Sequence, residues 1–271
     1  MEQVSAMFRE GAHILGAFLL CLPRAYAFIA VSQLLAPTAV PRMARNVAIL
    51  VIALPLTPLA VPFAGSLKDN LPLFMILFAK EVALGFVMGF LVFWIFWSMQ
   101  AAGNYIDNQR GAAIAASIDP LQGHEASPLG ILFSQAFITY FFSVGGFLIL
   151  IGALYDSYLR WPLFETLPLA LPEFPALILG VLDRGMFLTV LYAGPVIVIM
   201  FLVEFALALV SRFAPQIQVF ILAMPIKSAV AILILIFYVP LLFDYGLDQG
   251  LGFRSFFDEF YAILEAGRDL R

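Results

Sequence analysis

Apolar residues run along this chain in six long blocks, with polar residues gathered between them. The blocks cover residues 11–35, 47–64, 71–99, 129–154, 176–210 and 219–243. A helix needs about 20 apolar residues to cross roughly 30 Å of hydrocarbon, so the blocks predict helices of membrane-crossing scale. Five of the six are interrupted. Pro23 and Arg24 break the first, and Pro55, Pro58 and Pro62 recur through the second. Lys80 and Glu81 lie in the third; Asp183, Arg184, Pro195 and Glu204 punctuate the fifth; Pro225 and Lys227 fall in the sixth. The fourth is free of charge and reads as the cleanest span. The third and fifth exceed one span, and each predicts a helix plus a half-helix. In the fifth, Asp183 and Arg184 are expected to cap or interrupt a helix start.

Residues 254–271 follow a different pattern. Phe256, Phe257, Phe260, Ile263 and Leu264 recur at helical spacing among Asp258, Glu259, Glu265 and Arg268. This is an amphipathic helix, suited either to a membrane surface or to a partner's groove.

The interruptions carry a physical message. Proline removes a backbone donor, and lipid offers nothing to satisfy the carbonyl it leaves open. A charged side chain at a helix centre costs about 2.5–3.5 kcal/mol on insertion. Such helices need protein neighbours. Composition agrees: 63% of residues are hydrophobic and 12% charged, with a mean hydropathy of +1.01. A water-soluble chain of this size still exposes a quarter or more of its surface, so lipid or partner subunits must cover this one. The fold class is all-α: a polytopic helical membrane protein with broken helices and hairpins.

Other features narrow the picture less. The net charge of −4 is made of scattered single residues, with no basic patch for nucleic acid. Cys21 is the sole cysteine and sits in an apolar run, so it reads as a buried thiol. The stretch around Ala25-Tyr26-Ala27 imitates a signal-peptide cleavage site. Glu2 and Glu10 against Arg9 leave no positive n-region, and the segment is read as a retained first helix. Arg42 and Arg45 mark one loop as cytoplasmic in type, while the other loops mix signs.

Candidate mechanism concentrates between blocks three and four. In residues 100–128, QAAGNYIDNQRGAAIAASIDPLQGHEASP, glycine, alanine and serine make up about two-fifths. A loop of that length without regular structure is usually functional or disordered. It reads either as an exposed surface loop or as a segment folded back into a protein-lined pore. Gly85 and Gly89 form a GxxxG that permits close helix approach. Lys80 and Glu81 are adjacent, hence about 100° apart on a helix, and are expected to find separate partners. Glu204 is either a proton-relay carboxylate or half of a structural ion pair, the second being preferred. No P-loop, HExxH or GxSxG occurs. His124, Glu125 and Asp119 are read as a solvated cluster and not a metal site. No catalytic, cofactor or metal residue is assigned.

The most specific segment is 212–228, RFAPQIQVFILAMPIKS. With Ala214-Pro215-Gln216, Val219-Phe220 and Met224-Pro225-Ile226-Lys227, it resembles the SctT/FliR family of export-gate proteins of type III secretion systems and flagella. The resemblance extends to Lys80-Glu81 with Gly85 and Gly89, to Gln100, Gly103, Ile106-Asp107 and Gln109-Arg110-Gly111, and to Asp119-Pro120. Order, spacing and length agree over essentially the whole chain, and the wording is more like the secretion-system (SctT) branch than the flagellar one.

The resemblance implies a non-enzymatic, cofactor-free subunit of the bacterial inner membrane. It would join SctR- and SctS-like proteins in a helical multi-subunit export gate for unfolded proteins, with a SctU-like protein at its base. Residues 1–175 correspond to an SctR-like part and 176–271 to an SctS-like hairpin with the amphipathic tail. The segment 100–128 corresponds to a plug carrying Asp107, Gln109, Arg110, Gly111, Ile114, Asp119 and Pro120. Lys80, Glu81, Gly85, Gly89, Glu204, Arg212, Pro215, Gln216, Phe220, Pro225 and Lys227 are the expected structural or intersubunit positions. The competing reading is a stand-alone secondary transporter of a small solute, which would show inverted repeats and a midplane carboxylate. No repeat is evident, and Glu204 is its sole good carboxylate.

Overall fold

The structure, a computed structural model, describes residues 2–35, 40–63, 71–111, 127–165, 173–214 and 219–269. Every regular element among them is helical. In chain order these are α1 (Glu2–Ser32), α2 (Arg42–Ala53), a 3₁₀ turn (Leu54–Leu56), α3 (Thr57–Ala60) and a second 3₁₀ turn (Val61–Phe63). Then come α4 (Leu71–Gln109), α5 (Pro128–Ser143), α6 (Gly146–Arg160), α7 (Glu173–Phe213), α8 (Val219–Leu251) and α9 (Phe253–Asp269). Among the described residues five helical stretches are long and apolar enough to cross a membrane, or up to six if the bent pair α5–α6 is one span.

Several expectations are corrected. Prolines do not cut the long helices: Pro23, Pro195, Pro225 and Pro240 all lie inside continuous ones. α4 and α7 are single helices of 39 and 41 residues, not helix plus half-helix. One lost ladder bond is survivable where neighbouring groups satisfy the freed carbonyl. Asp183 and Arg184 likewise fall within α7 and neither cap nor interrupt it. Only the closely spaced Pro55, Pro58 and Pro62 leave a mark, each the second residue of a short helical piece.

The charge-free fourth block, expected as the cleanest span, is bent by 77° between α5 and α6. Gly145 makes the corner at φ 82°, a backbone setting costly for any side chain. Hydropathy does not register such a corner.

The chain forms two compact units. The first comprises Met1–Phe93, Val144–Ile178 and Phe253–Arg271; the second comprises Trp94–Ser143 and Leu179–Gly252. In the first unit, α4 lies against α1 through the GxxxG pair. A Cβ on Gly85 would overlap the Arg24 carbonyl oxygen, and one on Gly89 would stand 2.8 Å from that of Phe28. Cys21 is fully buried, and its Sγ donates to the Leu56 carbonyl at 3.4 Å.

In the second unit the core is aromatic. Phe96 meets Phe141 edge-on at 5.3 Å, and Phe137 meets Phe243 at 5.7 Å. Gly246 of α8 leaves the notch that Met99 and Phe137 fill. α7 is barely covered: 17% of its most apolar window is buried, and Phe201, Phe205 and Phe213 stand exposed. Apolar faces of this size belong against lipid or other proteins.

Candidate functional site

The helix α4 runs farther than the sequence pattern predicts. Residues 100–109, expected as loop, form its last turns. Ile106 and Asp107 are buried there, and the chain leaves through Gly111 at φ 87°. Residues 112–126 lie outside the described residues, so Ile114, Asp119 and Pro120, with His124 and Glu125, have no described position. The chain re-enters at Ser127, the N-cap of α5, with Pro128 in the first helical position.

Asp107 joins the two ends. Its Oδ2 accepts the Ser127 hydroxyl at 2.6 Å and the Leu129 backbone N–H at 2.9 Å. Its Oδ1 accepts Arg110 Nε at 2.7 Å. Ser127 Oγ in turn accepts the Gly130 N–H at 3.0 Å. Two of the donors a helix start leaves open are thus satisfied, one by Ser127 and one by a carboxylate from another helix. Gly103 allows this closeness, since a Cβ there would lie 2.6 Å from the Leu129 carbonyl oxygen. The Gly111 backbone sits against Met224 of α8, whose side chain would be 3.4 Å from an added Cβ. Gln109, the last residue of α4, is half-buried.

In the first unit the charges carried by the apolar helices meet. Arg24 Nε and Nη2 donate to the two oxygens of Glu81 at 2.6 and 2.9 Å. Nη1 donates to the Ser157 carbonyl and hydroxyl at 2.8 and 3.1 Å, and Nη2 also to the Trp161 carbonyl at 3.1 Å. All five guanidinium donors are occupied, and the Tyr158 ring centroid is 4.1 Å from the guanidinium carbon. Lys80 Nζ lies 2.7 Å from Glu81 Oε1 and donates to the carbonyls of Leu163 at 2.6 Å and Pro162 at 3.1 Å.

The expectation that Lys80 and Glu81 find separate partners is therefore only half right. The angle between neighbouring Cβ atoms does not limit a four-carbon stem, and both side chains turn toward the junction beyond α6. The cluster ties α1, α4 and the end of α6 in one buried ion network. Sequence reasoning flagged Arg24 as a charge needing company without assigning it a role.

Glu204 is not a lone acid: Lys227 Nζ lies 3.2 Å from its Oε2, within the chain. Arg212 is exposed at the end of α7, and Pro225 is exposed within α8. Phe220 lies in the first turn of α8. Pro215 and Gln216 fall outside the described residues. Ser127 and Ser157 are functional neighbours the sequence reading missed. Ser127-Pro128 before an apolar run is a legible helix start, but nothing local names Asp107 as its partner.

Residues 15–249 match the family model described as bacterial export proteins, family 1. The chain is 43% identical over 164 residues to the Yop proteins translocation protein T of Yersinia pestis, covering 60% of this chain and 63% of that protein. It is 34% identical over 220 residues to the surface presentation of antigens protein SpaR of Salmonella typhimurium, covering 79% and 81%. The flagellar biosynthetic protein FliR of Bacillus subtilis matches at 29% over 171 residues, covering 63% and 66%. Identity is higher to the secretion relatives than to the flagellar one, which favours the secretion-system branch. The chain belongs to family 1 of the bacterial export proteins.

Proposed function

We propose that this chain is an inner-membrane subunit of a type III secretion export apparatus. It joins SctR-, SctS- and SctU-like proteins in a gated channel that unfolded proteins cross. Residues 1–175 act as its SctR-like part and 176–271 as its SctS-like part; of the segment 100–128, the end of α4 up to Arg110 is the anchor and the stretch between Gly111 and Ser127 the plug. Its role is structural and non-catalytic.

The observation that carries the reading is the Asp107 junction. Three hydrogen bonds converge on a carboxylate that is 2% exposed, and they fasten together the two ends of the segment between Gly111 and Ser127. A gating segment needs a fixed base and a displaceable middle. The base is hydrogen-bonded, and the middle is rich in alanine by sequence. Small side chains fill a lumen without long interlocking contacts, so a passing chain displaces them at low cost. The thinly covered face of α7 supports the same reading, because sister subunits would bury it.

Co-expression with SctR- and SctS-like proteins, followed by size analysis, tests the proposal. The expected result is a stable hetero-oligomer, which the chain alone does not form. A chain that is monodisperse alone and carries a small solute across vesicles would replace this reading with the transporter.

A further inference from the structure

Within the first unit, helices α6 and α9 line a half-open groove of about 600 Å³, in the size range of ligand pockets. From α6, Leu148, Gly152, Asp156 and Arg160 recur at four-residue spacing along one side. From α9 come Arg254, Phe257, Asp258 and Tyr261. Arg160 Nη1 is 3.8 Å from Asp258 Oδ1, and its guanidinium carbon is 4.9 Å from the Tyr261 ring centroid. The groove is open along its length: a Cβ added at Gly152 meets nothing within 4 Å, Leu148 is 73% exposed, and the Arg160 and Asp258 side chains are 49% and 69% exposed.

The lining combines an apolar end with a polar end, and the polar end holds two arginines and two aspartates. Their charges cancel. An anion alone would gain from Arg160 and Arg254 but be repelled by Asp156 and Asp258, and a cation would meet the reverse. A zwitterion satisfies both pairs, with a phosphate on the arginines and an ammonium on the aspartates. α9 is itself amphipathic, the kind of helix that binds at the headgroup layer.

We infer that this groove is a binding site for one phospholipid of the phosphatidylethanolamine class. The phosphate is held by Arg160 and Arg254, the primary ammonium by Asp156 and Asp258, and an acyl chain leaves along Leu148. A primary ammonium donates hydrogen bonds to carboxylates, whereas the methylated choline headgroup offers none. The site is independent of any channel role and requires only a membrane protein.

The test uses the full-length chain in detergent, offered synthetic phosphatidylethanolamine, phosphatidylcholine or phosphatidylglycerol in turn, with bound lipid counted by native mass spectrometry. One phosphatidylethanolamine is expected per chain, retained at least fivefold over either other lipid. Gly152→Leu points into open space and should obstruct the middle of the groove without disturbing the fold, abolishing that preference while leaving the melting temperature unchanged. Arg160→Ala/Arg254→Ala should lower retention at least fivefold; should that pair fail to fold, Gly152→Leu still decides. Equal retention of the three lipids, a preference for phosphatidylglycerol, or undiminished phosphatidylethanolamine on Gly152→Leu would each overturn the assignment.

Discussion

Ser127 donates a 2.6 Å hydrogen bond to Asp107 across a separation of 20 residues, tying the start of one helix to the end of another. The same carboxylate accepts the Leu129 N–H and the Arg110 side chain. The base of the intervening segment is therefore held by a single residue.

Replacing Asp107 by alanine removes all three bonds and leaves Arg110 without its partner. Loss of a cap costs about 1 kcal/mol, and loss of charge-assisted bonds adds to it, for a total of roughly 1–3 kcal/mol. Thermal melting of the purified protein should fall by several degrees, with Asp107→Asn intermediate because one acceptor oxygen survives. Wild-type melting for Asp107→Ala would mean that the junction is ornamental.

The buried cluster in the first unit gives an ordered prediction, since two cations share one anion. Glu81→Gln strands both Arg24 and Lys80 and should be the most damaging, by about 3–5 kcal/mol. Arg24→Met follows, because it leaves Glu81 with Lys80 alone and orphans two carbonyls. Lys80→Met should be mildest, for the bidentate Arg24–Glu81 pair remains intact. Arg24→Lys should resemble Arg24→Met, as an ammonium cannot reach the same five acceptors. The amount of folded protein recovered from membranes ranks the four variants.

Glycine placement separates packing from mere occurrence. Gly85→Ala drives a methyl into the Arg24 carbonyl and should destabilise by about 1–3 kcal/mol. Gly180 faces open space in α7, so Gly180→Ala should be neutral or stabilise the isolated chain by up to about 1 kcal/mol. Comparing the two melting temperatures checks both.

Glu204 distinguishes an ion pair from a relay. Its side chain is 50% exposed and its partner is Lys227, a setting in which a pair contributes about 0–1 kcal/mol. Glu204→Gln should leave secretion within about twofold of wild type. Abolished transport with intact assembly would restore the proton-relay reading.

The sequence made much of this architecture legible. Each apolar block fell on a long helix, although α1, α4 and α8 run about 8 to 10 residues beyond their blocks at one end, and the Phe256–Leu264 spacing correctly gave the terminal amphipathic helix. Interior prolines misled, because Pro195 and Pro225 look like breaks in the sequence, yet α7 and α8 run through them. Gly145 was invisible for the opposite reason: one residue's φ bends a uniformly apolar run by 77°. The site was legible in its parts, since Asp107, Arg110, Lys80 and Glu81 were all singled out. Its connections were not. Arg24 and Glu81 are 57 residues apart, and pairings at that distance are made by packing, about which hydropathy is silent.

The central claim, that the segment between Gly111 and Ser127 closes a channel, is tested most directly by deleting residues 111–117. Ion permeability of the membrane is then measured beside the size of the purified complex. The account predicts a leaky membrane with the complex unchanged in size. Wild-type permeability with an intact complex would contradict it.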